Sequence, residues 1–223
     1  LKQDYFRVFM SNISLEQLYD FIAPHYDDLR NQPINYVEDE IIANMISVYN
    51  PRKVLDVGCG TGNLITLGQY EPEQYLGIDI STNMIKQARK SYPSYKFKKH
   101  DATKKIHSKF DLIVSVFGQI NYFGIDKWIN ILKNNMTRDG HFYSIMYSNT
   151  YKPDYVNGHA IQYTVDDIKG KLEHHDILHR IVGLSFSSEK GKTYRQELQY
   201  QQTIMDINQT TDCRYWVILG KNV

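Results

Sequence analysis

The spacing of apolar residues predicts alternating strands and helices from residue 34 to residue 147. Apolar residues recur at helical spacing between Ile34 and Val48, which predicts an amphipathic helix that ends near Pro51. Short apolar runs typical of buried strands follow at 53–57, 75–80, 95–98 and 110–117. Helices are predicted between or after these runs at 63–69, around 84–88 and around 128–132. A turn at 138–140 then leads into a fifth strand at 141–147.

Strands that alternate with helices predict right-handed crossovers and a parallel sheet covered by helices on both faces. Past Tyr147 the pattern changes to a polar loop, a helix near 165–174, and extended segments around 177–187, 194–203 and 214–219. Consecutive extended segments usually pair antiparallel. We therefore predict an α/β fold with a Rossmann-like, doubly wound sheet of seven strands, mostly parallel and with an antiparallel last strand.

Length and composition indicate one domain and exclude several classes of protein. The chain has 223 residues, a formal net charge of +1 and 42% hydrophobic residues, which suits a single domain over 1–223. We divide it into an N-terminal helical lid (1–50), a core (51–147) and a C-terminal part (148–223). No apolar run approaches the roughly 18–20 residues of a membrane span, and two cysteines are too few for a disulfide scaffold. We expect a cytoplasmic protein. Whether a leader segment was lost before Leu1 is left open.

The segment Leu55–Gly62 (LDVGCGTG) lies where a predicted strand passes into a helix. Its spacing, Gly-x-Gly-x-Gly, differs from the dinucleotide fingerprint and lacks the Gly-Lys-Ser/Thr ending of a P-loop. Asp79 ends the second strand, where a carboxylate can accept both hydroxyls of a ribose. Asp101 follows the third strand, where it can accept a hydrogen bond from an adenine amino group. Together these residues predict a nucleoside site at the carboxyl edge of the sheet.

These motifs resemble those of the class I S-adenosylmethionine-dependent methyltransferases. The matching segments are VLDVGCGTG (54–62), GIDIS (77–81), HDAT (100–103) and FDLIVSVFGQINY (110–122). The resemblance implies S-adenosylmethionine as cofactor and S-adenosylhomocysteine as product. It places Gly58, Gly60 and Gly62 along the methionine moiety, Asp79 at the ribose, and Asp101 with Ala102 at the adenine. The other expected cofactor contacts are Tyr19, Tyr26, Asp56, Cys59, Ile80, Met84, Val116 and Phe117.

The lid is expected from the resemblance to cover the cofactor with Tyr19 and Tyr26. Pro24 removes a backbone donor and disfavours a continuous helix. We therefore predict two short pieces joined near Ala23-Pro24 that fold over the cofactor. A permanently docked helix is the alternative.

The residues after the fourth strand narrow the substrate class. Phe117–Tyr122 contains neither the Asp/Asn-Pro-Pro-Tyr/Phe tetrad of base methylation nor an acidic residue for a catechol-type magnesium site. No Pro-Cys nucleophile for cytosine chemistry is present. We therefore expect metal-independent transfer of a methyl group to an amine or hydroxyl of a small molecule. Gln119 and Asn121 are predicted to orient that acceptor, with polar turn residues as the alternative.

Further candidates lie after the fifth strand. Tyrosines there predict a substrate wall or, alternatively, surface-loop residues, and His159 is the candidate general base; the tyrosines are Tyr147, Tyr151, Tyr155 and Tyr163. His175 and His179 suggest a metal pair, but they fall at a predicted helix-to-strand transition that breaks their spacing. The six lysines of 96–109 are expected to be solvated, which disfavours a nucleic-acid partner. The alternative functions are methylation of RNA or of protein, or that of a catalytically silent, cofactor-binding partner subunit. The oligomeric state is left open, with a homodimer as one possibility.

Overall fold

The computed structural model describes residues 13–117, 119–150, 160–188, 200–206 and 215–221. Within these ranges the helices are α1 (Leu15–Ile22), α2 (Tyr26–Arg30), α3 (Pro33–Ile46), α4 (Asn63–Gly68), α5 (Thr82–Ser91), α6 (Gln119–Phe123), α7 (Ile125–Asn135) and α8 (Val165–His174). The strands are β1 (Val54–Val57), β2 (Tyr75–Asp79), β3 (Lys96–Lys99), β4 (Phe110–Ser115), β5 (Met136–Tyr147), β6 (Leu178–Ser188), β7 (Tyr200–Asp206) and β8 (Tyr215–Lys221). No helix in these ranges is long and apolar enough to cross a bilayer.

The strands form one sheet in the order β3-β2-β1-β4-β5-β8-β6-β7. Strands β1 to β5 pair in parallel, whereas β8 runs antiparallel to both β5 and β6. The predicted Rossmann-like sheet with an antiparallel last strand is thus confirmed. The described sheet also holds one strand beyond the predicted seven, because β7 pairs antiparallel with the outer side of β6.

The turn predicted at 138–140 lies inside β5 as an irregularity of pairing. Phe110 pairs with Met136 and Leu112 pairs with His141, so the register shifts between these two pairs. Two steps along β4 therefore correspond to five along β5, and the intervening residues form a bulge. Gly140 allows the close packing of this bulge, because an added Cβ would lie 2.5 Å from Cγ of Met136.

The two faces of the sheet bury separate clusters of apolar side chains. One cluster joins α3, α4 and α5 to the sheet, with Ile42 and Tyr143 fully buried. The other joins α7 and α8 to the opposite face around Trp128 and Trp216. Strand β1 lies in the middle, and all four of its residues are buried. Burial on both faces explains why β1 is apolar at every position except Asp56.

Residues 15–30 of the predicted lid form the two short pieces predicted from Pro24. Helix α1 begins at a capping box, in which Gln17 donates its backbone N–H to the Ser14 side chain and its own side chain accepts from the Ser14 backbone. A 3₁₀ turn at Ala23–His25 contains Pro24 and separates α1 from α2. Asp20 fastens α1 to the start of α5: its Oδ1 accepts from Ser81 Oγ at 2.6 Å and from the backbone N–H of Asn83 at 2.9 Å. Helices α1 and α2 thus lie over the carboxyl edge of the sheet.

Candidate cofactor site

The glycine turn after β1 is held by β2 and adopts a backbone conformation that favours glycine. The backbone N–H groups of Gly58 and Cys59 both donate to the Ile78 carbonyl, at 2.8 and 3.0 Å. Gly58, Gly60 and Gly62 have φ angles of 76°, 52° and 97°. Residues with a Cβ rarely adopt these angles, so the turn depends on its glycines.

The three glycines face different neighbours. An added Cβ at Gly58 would lie 2.3 Å from Cδ of Gln119, so this side chain covers the turn. At Gly60 the nearest contact would be with Tyr26 of the lid, at an ordinary 3.8 Å. At Gly62 a Cβ would lie 3.0 to 3.2 Å from the rings of Tyr92 and Phe97. The Cα of Gly62 is therefore closely packed against these two rings, and its contact with the methionine moiety stays a prediction.

Asp79 lies at the end of β2, as expected, and is tied to the glycine turn. Its Oδ2 accepts from the backbone N–H of Gly60 at 3.0 Å, and its Oδ1 accepts from that of Ser81 at 2.8 Å. Burial raises the pKa of Asp79, and these backbone hydrogen bonds oppose that rise. Each carboxylate oxygen has a further lone pair, so ribose hydroxyls can still donate to it.

Asp56 is a buried carboxyl group beneath the turn. It is 2% exposed, and Oδ2 accepts a 2.6 Å hydrogen bond from the Tyr75 hydroxyl. Burial raises the pKa of Asp56 to about 7, although the Tyr75 hydrogen bond opposes the rise and the nearby Asp79 adds to it. A carboxyl group with this pKa changes its charge near neutral pH. Asp56 can therefore meet a cationic ligand group as an anion.

A small cavity of about 40 Å³ lies between the lid, the glycine turn and the end of β4. The predicted residues on its wall are Tyr26, Asp56, Gly58, Cys59, Gly60, Val116, Phe117 and Gln119. Phe117 has a φ of 59°, which is strained for a residue with a Cβ. Strain of this kind at the rim of a cavity is typical of ligand sites.

Arg30 also lines this cavity, and sequence reasoning missed it. Its Cζ lies 4.3 Å from the centre of the Phe117 ring, and its Nη2 donates to Asp39 Oδ1 at 2.7 Å. Burial lowers the pKa of Arg30, but Tyr26, Asp39 and Glu38 raise it by more than burial lowers it. The net pKa is therefore raised, and the guanidinium stays charged. The signal in the sequence is that no other Lys or Arg occurs between residues 13 and 50.

Aromatic and polar contacts seat the lid on the site. The Tyr19 ring packs edge-on to those of Tyr26 and Tyr122, with centroid distances of 6.4 and 6.2 Å. The hydroxyls of Tyr19 and Tyr122 are 3.2 Å apart. Thr61 of the glycine turn donates to Asp27 Oδ1 at 2.6 Å. The structure thus brings both lid tyrosines to the predicted edge of the sheet.

The three candidate catalytic residues have different surroundings. Gln119 lies over Gly58 on the cavity wall. Asn121 is fully buried, and Nδ2 donates to the carbonyls of Tyr147 and Ile161 while Oδ1 accepts from the Tyr147 N–H. Because both of its amide hydrogens are already donated, Asn121 fits a structural role and not the predicted contact with an acceptor. His159 lies outside the described residues.

The remaining predicted contacts are engaged within the fold. Asp101 accepts from the backbone N–H and the hydroxyl of Thr103, at 2.9 and 2.7 Å. Burial raises the pKa of Asp101, but the Thr103 hydrogen bonds outweigh it and the net shift is downward. Asp101 and Ala102 do not line the cavity described above. Ile80 is half-buried beside Asp79, and Met84 is buried in α5.

The predicted tyrosine wall and histidine pair also have defined places. Tyr147 is 5% exposed and packs on Tyr215, whereas the Tyr163 hydroxyl accepts from the Ile125 N–H at 3.2 Å. Tyr151 and Tyr155 lie outside the described residues. Helix α8 ends before His175 and His179 belongs to β6, so their helical spacing is broken as predicted. Among the described residues no three His, Cys, Asp or Glu side chains are placed to hold a metal ion.

The residues of the site fit S-adenosylmethionine by their chemistry. Asp79 suits the ribose hydroxyls, and the open backbone at Gly60 lets a ligand approach closely. Asp56 and Arg30 offer opposite charges at one cavity. The cavity, of about 40 Å³, is small, and the Gln119 side chain covers the turn at Gly58 on its wall.

A doubly wound sheet with this turn and an acidic residue at the end of the next strand defines a nucleoside-binding α/β domain. Residues 54–138 match the family model described as a methyltransferase domain. This matched segment contains the glycine turn and Asp79, so the match agrees with the sequence motifs that resemble those of the class I S-adenosylmethionine-dependent methyltransferases.

Curated relatives match only part of the chain. A demethylmenaquinone methyltransferase of Bacteroides fragilis is 30% identical over 146 residues, which is 57% of this chain and 57% of the relative. A trans-aconitate 2-methyltransferase of Rhodopseudomonas palustris is 36% identical over 90 residues, or 40% of this chain and 31% of the relative. The chain thus spans a little over half the length of the first of these relatives and about a third of the second.

Solved structures share the fold over nearly the whole chain. A Thermotoga maritima S-adenosylmethionine-dependent methyltransferase, described as a possible histamine N-methyltransferase, has a TM-score of 0.67 and 13% identity, covering 94% of this chain and all of the other. The plantazolicin methyltransferase BpumL, bound to a plantazolicin analogue and S-adenosylhomocysteine, has a TM-score of 0.60 and 17% identity, covering 100% and 99%. At these identities the likeness establishes the fold.

Proposed function

We propose that this protein transfers a methyl group from S-adenosylmethionine to an amine or hydroxyl of a small molecule without a metal ion. The observation that carries the proposal is the glycine turn at Gly58–Gly60, which opens onto a cavity shared by Asp56, Arg30 and Gln119. Bound there, the cofactor supplies an electrophilic methyl group on a sulfonium. The names of the relatives support a small acceptor, since they refer to a quinone, an organic acid and a peptide natural product.

The side chains of this site act mainly by positioning. Direct displacement requires the acceptor atom and the methyl group to be aligned, and a base only where the acceptor arrives protonated. Gln119 lies over Gly58, where the proposed binding mode puts the methionine end of the cofactor, and its amide can hydrogen-bond a ligand without changing its charge. Tyr19, Tyr26 and Tyr122 form an aromatic cover that excludes water from the transfer site. His159 remains the proposed general base.

Transfer of an isotope-labelled methyl group tests the proposal. The purified protein is incubated with labelled S-adenosylmethionine and, separately, with a naphthoquinol, trans-aconitate, an aromatic amine, tRNA and a basic protein. We expect label in a small-molecule fraction, unaffected by a chelator. Label confined to tRNA or protein would contradict the proposed acceptor class, and loss of turnover with a chelator that magnesium reverses would contradict the metal-free step.

Asp79→Ala provides the variant for the same assay. Removing hydrogen bonds to a charged group costs roughly 1.5–3 kcal/mol, so cofactor affinity should fall by roughly 10- to 100-fold. Asp139→Ala removes an exposed carboxylate in the β5 bulge and serves as the control. Equal activity of the Asp79 variant and the wild type at low cofactor concentration would contradict the ribose assignment.

A further inference from the structure

One stretch of the chain concentrates positive charge. Residues 82–109 contain nine Lys or Arg residues and a single carboxylate, that of Asp101. The whole chain has 26 Lys and Arg residues against 25 Asp and Glu, so outside this stretch acidic residues outnumber basic ones by 24 to 17. The net charge of +1 therefore conceals an uneven distribution of charge along the chain.

The structure gathers these basic residues around one edge of the sheet. Strand β3 is the outermost strand, and its buried Phe97 packs on the same face of the sheet as α5. Lys96 and Lys98 flank Phe97 and lie on the opposite face, because side chains alternate along a strand. Arg89 of α5 joins the two elements, since its Nη2 donates to the Phe97 carbonyl at 2.7 Å.

Helix α5 and the loop after β3 extend this surface. Lys86, Arg89 and Lys90 are three and four residues apart, so they share one exposed face of α5. Asn135 anchors the loop, because its Nδ2 donates to two carbonyls of residues 106–108 at 2.8 and 2.9 Å. We name the surface the basic edge, and its exposed members are Lys86, Arg89, Lys90, Lys96, Lys98, Lys104, Lys105 and Lys109.

Most of these charges are available to a partner. Among the described residues, Lys99 alone of the nine basic side chains forms an ion pair, with Glu16 of α1. The carboxylate of Asp101 accepts hydrogen bonds from Thr103 and is also attracted to Lys104. The sequence treats the six lysines of 96–109 as a solvated run, whereas the structure joins them to α5 on both sides of an open strand.

The basic edge has no apolar anchor. The exposed large apolar side chains of the described residues all lie outside 82–109; they are Phe21, Leu29, Tyr36, Val48, Ile161 and Leu178. Protein interfaces have an apolar centre that is depleted in lysine, and membrane-bound surfaces insert apolar side chains. Lysines without such anchors suit the phosphates of a nucleic acid, which bind by charge and release counterions.

We propose that the basic edge binds the phosphate backbone of a nucleic acid without reading its sequence. The two tyrosines of the segment are tied inward, since the Tyr92 hydroxyl lies 3.0 Å from Thr66 Oγ1 and that of Tyr95 donates to the Tyr70 carbonyl at 2.7 Å. The surface thus offers charges rather than rings for base stacking. The nucleic acid is a docking partner here, and the methyl acceptor remains the small molecule proposed above.

Fluorescence anisotropy with a short labelled RNA strand tests the proposal on the wild-type protein. If about five of the side chains contact phosphates, affinity should fall roughly 100-fold between about 50 and 200 mM salt. A strand of scrambled sequence should bind equally well. Absence of RNA binding at about 50 mM salt would overturn the proposal, as would equally tight binding of polyglutamate or of anionic phospholipid vesicles. No residue of the basic edge lines the cofactor cavity, so either result leaves the proposed function standing.

Charge reversal on β3 assigns the binding to this surface. Lys96→Glu combined with Lys98→Glu should weaken RNA binding at least roughly 10-fold and reduce the slope of log affinity against log salt by about 1.4. Lys127→Glu combined with Lys169→Glu changes the net charge equally at exposed positions of α7 and α8 and is the control. Equal weakening by both pairs would mean that net charge alone governs binding, and would overturn the proposal.

A second pair of substitutions separates binding from stability. Lys104→Glu combined with Lys105→Glu lies in the loop after β3, outside the regular strands and helices. Urea unfolding shows which variants fold like the wild type, and this pair should weaken RNA binding as the β3 pair does. RNA affinity unchanged in a folded loop variant would contradict the basic edge as the binding surface.

Discussion

Replacing Asp56 with asparagine should stabilise the protein above neutral pH. Burial raises the pKa of Asp56 from 3.8 to about 7, the Tyr75 hydrogen bond lowers it, and Asp79 raises it. The folded protein therefore keeps a proton that the unfolded chain loses near pH 4. Where the folded state binds more protons than the unfolded state, stability falls as pH rises. Asp56 thus costs stability progressively between about pH 4 and pH 7.

The size of the effect follows from these two pKa values. At about 1.4 kcal/mol per pH unit, the difference between 3.8 and about 7 corresponds to about 4 kcal/mol above pH 7. About 2–3 kcal/mol of this should develop between pH 5 and pH 8. The amide introduced by Asp56→Asn would carry no charge and could still accept the Tyr75 hydrogen bond through its oxygen.

Urea unfolding of the cofactor-free protein at pH 5 and pH 8 measures this prediction. The free energy of unfolding of the wild type should fall by about 2–3 kcal/mol relative to Asp56→Asn between the two pH values. Asp139→Asn, which changes an exposed carboxyl group, should follow the wild type. Parallel pH dependence of wild type and Asp56→Asn would refute the reasoning.

Three further predictions concern the turn, the buried amide and the lid. Gly58→Ala should weaken S-adenosylhomocysteine binding, because its Cβ would lie 2.3 Å from Gln119, and unchanged binding would contradict the turn's role. At Gly170 in α8, an added Cβ would meet nothing within 4 Å. Gly170→Ala should therefore stabilise the fold by about 1 kcal/mol in urea titration. Asn121→Ala should lower the free energy of unfolding by about 2–4 kcal/mol, because buried backbone groups lose their partners; a loss below about 1 kcal/mol would argue against the structural role. S-adenosylhomocysteine should protect α1 and α2 from limited proteolysis, and equal cleavage with and without it would mean that the lid is not gated by cofactor.

The fold could be predicted because its signals are local. Each buried parallel strand reads as a short apolar run, as at Val54–Val57, and Pro24 marks the break between the lid helices. The β5 bulge and the pairing of β7 with the outer side of β6 could not be predicted in the same way. Both depend on the pairing register with a neighbouring strand, which local residue patterns do not specify.

The residues of the candidate site also differ in whether local sequence patterns identify them. The glycines and Asp79 are recognisable because strand ends in a parallel sheet meet at one edge. Arg30 reaches the cavity only because α2 docks on the glycine turn, through contacts such as that of Asp27 with Thr61, 34 residues apart. Similarly, the side-chain amide of Asn121 is occupied by a hydrogen bond to the carbonyl of Tyr147, 26 residues further along the chain. Tertiary contacts of this range determine which polar residues remain available to a ligand.

Isothermal titration of the wild-type protein with S-adenosylhomocysteine, with NAD⁺ titrated in parallel, tests the central claim most directly. The glycine spacing and the Asp79 contacts predict one bound S-adenosylhomocysteine per chain and no heat from NAD⁺. Binding should also weaken in Asp79→Ala. Saturable binding of NAD⁺, or the absence of binding by S-adenosylhomocysteine to the folded wild type, would contradict the assignment of this site.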